Sequence, residues 1–166
     1  MIKIYCDGSS RGNPGKGGFG VAVTTENKLI IAYGKQYENI TNNQAELKGL
    51  IWALNLAITD YKNQEVEIYS DSAYCVNMFN NWIHTWAGNN WLNSKKKEVE
   101  NIKLVKILYT FACIDFPNFI VKRVPGHVGI LGNEIADAIA SKNQAKLEKI
   151  FENHKDFCFS SKIFDF

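Results

Sequence analysis

The order of its strand-like and helix-like segments restricts this chain of 166 residues to a small number of folds. Three segments rich in β-branched and aromatic residues come first, at residues 2–7, 19–25 and 29–37. Residues 8–15, between the first two, carry glycine, serine, asparagine and proline, which are typical of a turn. Consecutive strands with such short connections predict an antiparallel meander.

The rest of the chain alternates between helical and extended patterns. Thr41 is the predicted N-cap of a helix, and a short apolar strand follows at residues 66–70. A helical pattern at residues 95–111 leads to a strand at residues 119–124, and a last helix is predicted at residues 133–149. Strands separated by helices pair in parallel through right-handed crossovers. The order therefore predicts an α/β protein with a mixed sheet flanked by helices.

Length and charge indicate one domain that would meet a charged partner through a local surface. A chain of this length suits a single hydrophobic core, and we predict a domain at residues 1–150 and a C-terminal tail at residues 151–166. The formal net charge is +2, so a polyanion has to be bound by a local patch such as the three lysines at residues 95–97. The tail holds five phenylalanines without a clear period, which leaves open whether it docks on the domain or stays mobile.

The four cysteines predict a reducing compartment. None forms a CxxC pair and each has apolar neighbours, which favours buried free thiols over disulfides or a metal site. They are Cys6, Cys75, Cys113 and Cys158. The first strand begins at Ile2, which leaves no room for a signal peptide, and no apolar run is long enough to span a membrane. We therefore expect a cytoplasmic protein without membrane contact.

Four acidic side chains are expected to converge at one edge of the sheet. Asp7 ends the first predicted strand, Glu46 lies in the first turns of the next helix, and Asp71 follows the fourth strand. Asp137 lies between two alanines in the last helix. Taken singly, Asp71 could be a helix N-cap and Glu46 could complement a helix dipole. Taken together, carboxylates at strand ends lie where α/β sheets bind ligands, and they repel one another unless a divalent cation neutralises them.

Four motifs in series resemble the type 1 ribonucleases H of the bacterial kind. They follow that family's order, close to its usual spacing, over residues 2–140. The motifs are Tyr5-Cys6-Asp7-Gly8-Ser9-Ser10 with Gly12-Asn13-Pro14-Gly15, Thr41-Asn42-Asn43-Gln44-Ala45-Glu46-Leu47, Tyr69-Ser70-Asp71-Ser72 with Tyr74, and Val124-Pro125-Gly126-His127-Val128-Gly129 with Asn133, Glu134 and Asp137. Each motif alone is a weak signal, and the resemblance depends on all four.

The resemblance implies a fold and an activity. The fold is the ribonuclease H-like α/β fold, a five-stranded mixed sheet of three antiparallel and then two parallel strands with helices on both faces. The activity is endonucleolytic hydrolysis of the RNA strand of an RNA–DNA hybrid, which leaves 5′-phosphate and 3′-hydroxyl ends. Two Mg²⁺ ions, for which Mn²⁺ can substitute, would be held by Asp7, Glu46, Asp71 and Asp137.

The same resemblance distributes roles among these residues. Asp7 would bridge the ions, Glu46 and Asp71 would hold the first ion, and Asp137 would complete the second. His127 lies between glycines and is assigned to proton transfer or product release, the alternative being a surface histidine without function. Glu134 either contacts the second ion transiently or faces solvent.

Further residues are implied in binding the hybrid. Asn13, Asn42 and Asn43 match side chains that contact the 2′-hydroxyl, the group that distinguishes RNA from DNA. The alternative role of these asparagines is the formation of turns or caps. Thr41 and Asn101 match positions that bind a DNA phosphate in relatives.

A tryptophan-rich stretch resembles the family's substrate handle, which spans about residues 80–100. Aromatic planes there pack against the nucleic acid while lysines pair with phosphates. We assign Trp82 to the substrate surface and Trp86 to the core, the alternative being that the tryptophans only pack two helices together. Residues 87–90 are uncharged where many relatives are basic, which predicts weaker hybrid binding and a shallower dependence on salt than a strongly basic relative would show.

Other classes of protein remain as alternatives. An integrase or junction resolvase of the same fold would share the acidic site, but not the handle or the loop around His127. A ribonuclease H domain derived from a reverse transcriptase is another, although this chain carries no polymerase. A catalytically silent hybrid-binding module is the third, although every expected carboxylate is present. We expect a monomer, because no apolar stripe is left without a place in the core.

Overall fold

The computed structural model describes residues 1–114, 120–158 and 162–163. Its strands are β1 (Ile2–Gly12), β2 (Gly15–Thr24), β3 (Leu29–Ile40), β4 (Val66–Ser70), β5 (Ile120–Arg123) and β6 (Lys162–Ile163). Its helices are α1 (Asn42–Thr59), α2 (Ala73–Asn77), α3 (Ile83–Gly88), α4 (Ile102–Ala112), α5 (Leu131–Ala140), α6 (Gln144–Asn153) and α7 (Lys155–Cys158). A π-helical turn, Met78–Trp82, joins α2 to α3.

The predicted mixed sheet is confirmed. Its strand order is β5-β4-β1-β2-β3-β6. Strands β1, β2 and β3 pair antiparallel, whereas β4 pairs in parallel with β1 and β5 in parallel with β4. The two-residue β6 is an addition to the five expected strands, and it pairs in parallel with β3 at Ile31 and Ala32.

The first hairpin is longer than predicted. Strands β1 and β2 stay paired as far as Gly12 and Gly15, so the turn between them consists of Asn13 and Pro14 alone. Ladder hydrogen bonds with β2 override the turn preference of residues 8–12. Asp7 consequently lies within β1 rather than at its end, and β1 pairs with β2 both before and after Asp7.

Helix α1 begins where the sequence predicts. The Thr41 hydroxyl accepts a hydrogen bond from the Gln44 backbone N–H (3.1 Å), and the Gln44 side-chain oxygen accepts one from the Thr41 N–H (3.0 Å). This capping box satisfies two of the N–H groups that a helix start leaves without partners. Because Thr41 follows β3 directly, the cap fixes α1 at the end of the sheet.

The two faces of the sheet carry separate apolar clusters, with α1 on one and α5 on the other. Side chains of a strand alternate between the faces, and accordingly Ile4 and Cys6 pack in the α1 cluster while Tyr5 packs in the α5 cluster. Asp7 is two residues after Tyr5 and therefore points to the α5 face. Glu46, in α1, lies with its backbone against Gly8, the residue after Asp7.

A pair of glycines lets α5 lie close to the sheet. Gly20 of β2 and Gly34 of β3 are paired with each other, and Gly20 is also paired with Asp7. A Cβ atom on Gly20 would lie 2.1 Å from the carbonyl oxygen of Ala136, and one on Gly34 would lie 2.2 Å from Cγ2 of Ile139. No side chain fits at either position while α5 keeps its place.

The predicted helix at residues 95–111 begins later than expected. Helix α4 starts at Ile102, and Asn101 before it has a left-handed backbone with φ of 55°, which ends any helix entering from residues 95–100. The preceding loop is held by Asn93, whose side-chain oxygen accepts hydrogen bonds from the N–H groups of Lys95 and Lys97. The three consecutive lysines thus lie in this exposed loop.

The predicted helix at residues 133–149 is two helices. Lys142 has a φ of 53°, which ends α5, and Asn143 caps α6 by accepting a hydrogen bond from the Lys146 N–H (3.0 Å). Local capping by Asn143 overrides the helical spacing of the apolar residues. Within the described ranges, no helix combines the length and apolarity that a membrane-spanning segment requires.

Part of the C-terminal segment packs on the α5 face. Helix α6 continues past residue 150 and ends at Asn153, and Phe151 and Phe157 lie against the α5 cluster. Phe119, predicted to begin a strand, and Phe159, Phe164 and Phe166 lie outside the described residues. None of the four cysteines forms a disulfide. Cys6 and Cys75 are buried as expected, whereas Cys113 is exposed because it follows the last turn of α4, and Cys158 is half-buried.

Candidate active site

Three carboxylates meet between β1, β4 and α1. The parallel register of β1 and β4 pairs Cys6 with Ser70, which sets Asp7 and Asp71 side by side immediately after that pair. One carboxylate oxygen each of Asp7, Glu46 and Asp71 lies within 4.8 Å of the others. Asp7 and Glu46 are only 6% and 7% exposed, and Asp71 is half-buried. The structure thus brings together three of the four predicted metal ligands.

Gly8 makes this approach of strand and helix possible. A Cβ atom on Gly8 would lie 2.2 Å from the backbone nitrogen of Glu46 and 2.4 Å from the carbonyl carbon of Ala45. The first turn of α1 therefore rests directly on the backbone of β1. The Gly8 N–H also hydrogen-bonds the carboxylates of Asp7 and Glu46, which lowers the pKa of both.

The net electrostatic effect on the buried pair is nevertheless in the other direction. Burial raises the pKa of Asp7, and repulsion from Glu46, Asp71 and Asp137 raises it further. Burial and the charges of Asp71 and Asp137 likewise raise the pKa of Glu46. Desolvated carboxylates in contact favour protons or a cation, so bound positive charge would stabilise this cluster.

An unpaired oxygen tests whether a divalent cation fits here. Among the residues that the structure describes, Oε2 of Glu46 is buried without a hydrogen-bond partner. A buried carboxylate oxygen is costly to leave unpaired, and hard divalent cations prefer carboxylate oxygens as ligands. The donor set of Asp7, Glu46 and Asp71 therefore fits a divalent metal ion.

Asp137 belongs to a second, neighbouring group. It is near enough to raise the pKa of Asp7 and Glu46, while its own carboxylate lies within 4.8 Å of ligand atoms of His127 and Glu134. The ammonium of Lys146 contacts Oδ2 of Asp137 and Oε2 of Glu134, each at 2.5 Å. The side chain of Glu134 is mostly buried and lies against Lys146, close to Asp137.

His127 lies in an exposed loop between β5 and α5. Its backbone is left-handed with φ of 57°, and Gly129 after it has φ of 84°. Val128 beside it is 61% exposed. A histidine at this position can approach a substrate from solvent.

Asn133 is a residue of the site for which no role was predicted from its motif. It is buried, and its amide donates a hydrogen bond to Oδ2 of Asp71 (3.3 Å). Its own Oδ1 is buried without a partner in the described part of the chain. Asn133 links α5 to the cluster on β1 and β4, a contact between residues 62 positions apart that no local pattern indicates.

The predicted hybrid-binding residues cluster at the start of α1. The side-chain oxygen of Asn13 accepts a hydrogen bond from the Asn42 N–H (3.1 Å), which ties the β1–β2 turn to the helix. Asn13 and Asn42 are exposed and Asn43 is half-buried. Thr41 therefore caps α1 and Asn13 holds the turn against it, with the exposed amide of Asn42 beside them. Asn101 lines a separate groove with Gln44.

The tryptophans of the handle region differ in exposure. Trp82, on the π-helical turn, is 41% exposed. Trp86 and Trp91 are half-buried and pack against the α1 cluster. The rings of Trp82 and Trp86 have centroids 5.8 Å apart, so the exposed ring rests on the half-buried one.

Fold and site together define an α/β protein with a carboxylate cluster that could hold a metal ion, and comparison with known proteins agrees. The profile of the RNase H family matches residues 1–145. A Ribonuclease H of Orientia tsutsugamushi (strain Boryong) is 40% identical over 155 residues, covering 93% of this chain and 89% of that protein.

Solved structures give the same result. RNase H1 of Halobacterium salinarum NRC-1 is 26% identical with a TM-score of 0.59, over 84% of this chain and 93% of that one. LC11-RNase H1, solved in complex with an RNA/DNA hybrid, is 26% identical with a TM-score of 0.61, over 86% of this chain and 99% of that one. The chain belongs to the RNase H family, whose members are metal-dependent endonucleases.

Proposed function

We propose that this protein hydrolyses the RNA strand of RNA–DNA hybrids with two divalent cations, leaving 5′-phosphate and 3′-hydroxyl ends. The observation that carries the proposal is the contact of Asp7, Glu46 and Asp71 around an unpaired, buried carboxylate oxygen. Relatives named Ribonuclease H and a relative solved with an RNA/DNA hybrid support the substrate. Mg²⁺ is the proposed metal, and Mn²⁺ should replace it because it accepts the same oxygen ligands.

The protein's own groups prepare the reaction. Asp7 would bridge the two cations, Glu46 and Asp71 would complete the first site, and Asp137 the second. When bound, the cations supply charge neutralisation at the phosphoryl oxygens and a nucleophile at neutral pH. Asn133 holds Asp71 in orientation through its amide. His127, exposed on its loop, would move a proton to or from solvent or assist product release.

Recognition of the hybrid is proposed to use the start of α1, the start of α4 and the handle. Asn42 and Asn43, with Asn13 beside them, would contact 2′-hydroxyls of the RNA strand. Thr41 and Asn101 would bind a phosphate of the DNA strand. Trp82, whose exposed ring rests on Trp86, would pack against the nucleic acid.

The remaining expectations stay proposals. Residues 1–150 would form the catalytic domain and residues 151–166 a tail. The protein would act as a monomer in the cytoplasm, where its four free thiols stay reduced.

The first test is substrate selectivity. In Mg²⁺, the protein is expected to cleave only the RNA strand of a labelled RNA–DNA hybrid, and to leave matched RNA–RNA and DNA–DNA duplexes intact. EDTA should abolish cleavage and Mn²⁺ should restore it. Denaturing gels of strands labelled at either end measure both outcomes. Binding without cleavage in either metal would favour a silent module, and cleavage of DNA duplexes or junctions would favour another nuclease.

A second prediction separates the two tryptophans of the handle. Trp82→Ala should raise the KM for the hybrid about fivefold, because one aromatic contact with a nucleotide contributes about 1 kcal/mol or more. Its effect on stability should be small, since the ring is exposed. Trp86→Ala is the matched comparison and should lower the melting temperature instead. If Trp82→Ala destabilises the protein without changing KM, the cluster is purely structural.

A further inference from the structure

Lys146 joins two carboxylates at the edge of the active site. Its ammonium lies 2.5 Å from Glu134 Oε2 and 2.5 Å from Asp137 Oδ2. The side chains of Lys146, Glu134 and Asp137 are 27%, 16% and 19% exposed, so the group is largely shielded from water. Such a shielded contact is stronger than an ion pair at the surface.

The position of Lys146 in its own helix is unfavourable without these partners. The break at Lys142 and the Asn143 cap place Lys146 in the first turn of α6. A cation in the first turn opposes the helix dipole, which favours acidic residues there. The stabilisation of Lys146 must therefore come from Glu134 and Asp137, which lie on α5 across the break.

These are the carboxylates on which the second cation would depend. Asp137 is its proposed ligand, and Glu134 and His127 lie within 4.8 Å of it. Asp7, Glu46 and Asp71 form the other group, and no cationic side chain is paired with them in the ranges that the structure describes. Lys146 also follows directly on the segment that the family profile matches, which ends at residue 145.

We propose that Lys146 is a built-in competitor of the second cation. It neutralises Glu134 and Asp137 in the metal-free protein and has to leave Asp137 when that cation binds. The two metal sites consequently fill in order, the Asp7 group at low metal concentration and the Asp137 group only at higher concentration. This inference rests on the proposed function, because it takes Asp137 as a ligand of the second ion.

Mn²⁺ titration without nucleic acid tests the competition apart from catalysis. By calorimetry, the wild-type protein should show one tighter and one weaker site. Lys146→Met should strengthen the weaker site about tenfold, equivalent to about 1.4 kcal/mol, and leave the tighter site unchanged. Lys149→Met makes the same charge change at an exposed position of the same helix and should alter neither site. Lys146→Arg keeps the cation and should resemble the wild type.

Three results would overturn the proposal. The weaker site could stay unchanged or weaken in Lys146→Met, which would make Lys146 an organiser of the carboxylates. Both proteins could bind a single ion. Lys146→Met could raise only the KM for the hybrid, which would make Lys146 a phosphate contact. Failure of the wild-type protein to cleave hybrids would contradict the proposed function alone, since the Mn²⁺ titration still reports the competition.

Discussion

Replacing Asp7 with asparagine is expected to abolish cleavage while stabilising the metal-free protein. A cation at a phosphoryl centre contributes several kcal/mol, so loss of its bridging ligand should lower kcat about 1,000-fold or more, equivalent to about 4 kcal/mol. Asparagine keeps the size of the side chain and can still accept the hydrogen bond from the Gly8 N–H. The expected loss of activity therefore comes from loss of charge rather than from a change in shape.

The gain in stability follows from the raised pKa of Asp7. In the unfolded chain this carboxyl ionises near pH 4, whereas burial and its acidic neighbours raise its pKa in the folded, metal-free protein. At pH values between the pKa of Asp7 in the unfolded chain and its pKa in the folded protein, the folded state binds more protons than the unfolded state. The free energy of unfolding therefore falls as the pH rises through that window. Asp7→Asn removes this part of the pH dependence, and each 1 kcal/mol gained raises Tm by about 2–4 °C.

Thermal melts in EDTA between pH 4 and pH 9, together with hybrid cleavage assays, check both halves of this prediction. Asp156→Asn removes the same charge at an exposed position of α7 and should leave activity and the pH profile unchanged. Saturating Mg²⁺ should stabilise the wild-type protein more than Asp7→Asn. Cleavage by Asp7→Asn within tenfold of the wild type would show that the metal centre lies elsewhere.

Gly8→Ala is expected to have the largest effect on stability. The new methyl group would overlap the backbone of Ala45 and Glu46, at 2.2–2.4 Å, and backbone atoms cannot rotate away. Strand β1 cannot retreat, because it is hydrogen-bonded to β2 and β4 on its two sides. Overpacking of this kind costs about 3 kcal/mol or more. The start of α1 has to move off the sheet, and it takes Glu46 away from Asp7.

Urea unfolding measures the loss of stability, and Mn²⁺ calorimetry on the folded fraction measures the loss of the tighter metal site. Gly88→Ala is the matched control, because a Cβ atom there meets nothing within 4 Å. An alanine in that helical position should be neutral or slightly stabilising, by about 0.5 kcal/mol. A Gly8→Ala protein within 1 kcal/mol of the wild type, on the scale of ordinary substitutions, would mean that β1 and α1 can separate without cost.

Much of the fold could be predicted because the sequence patterns that indicate it are local. The Thr41 cap needs only Gln44 three residues later, and the strand Val66–Ser70 is bounded by its own pattern of apolar residues. Asp71 could be placed next to Asp7 because residues that follow paired parallel strands are neighbours. These features depend on short segments whose preferences agree with the final fold.

The features that escaped prediction depend on single backbone angles or distant partners. Asn101 and Lys142 each end a helix through a left-handed backbone, although their neighbours have helical spacing. Lys146 reaches Asp137 only because of the break at Lys142, so its pairing could not be inferred from a continuous helix. Asn133 belongs to one of the sequence motifs, but its hydrogen bond to Asp71 depends on how α5 crosses the sheet.

The pair of glycines beneath α5 shows that the distances between the acidic residues depend partly on the size of side chains outside the site. Gly20 and Gly34 carry no functional group, yet they lie in one row with Asp7 across three strands. A single methyl group at either would change no charge and remove no donor or acceptor, and would still lift α5 with Asp137 and Glu134. The height of that helix above β1 sets how far apart the two carboxylate groups stand. The lack of a side chain at Gly20 and at Gly34 therefore helps to set the geometry of the proposed active site, although neither residue carries a functional group.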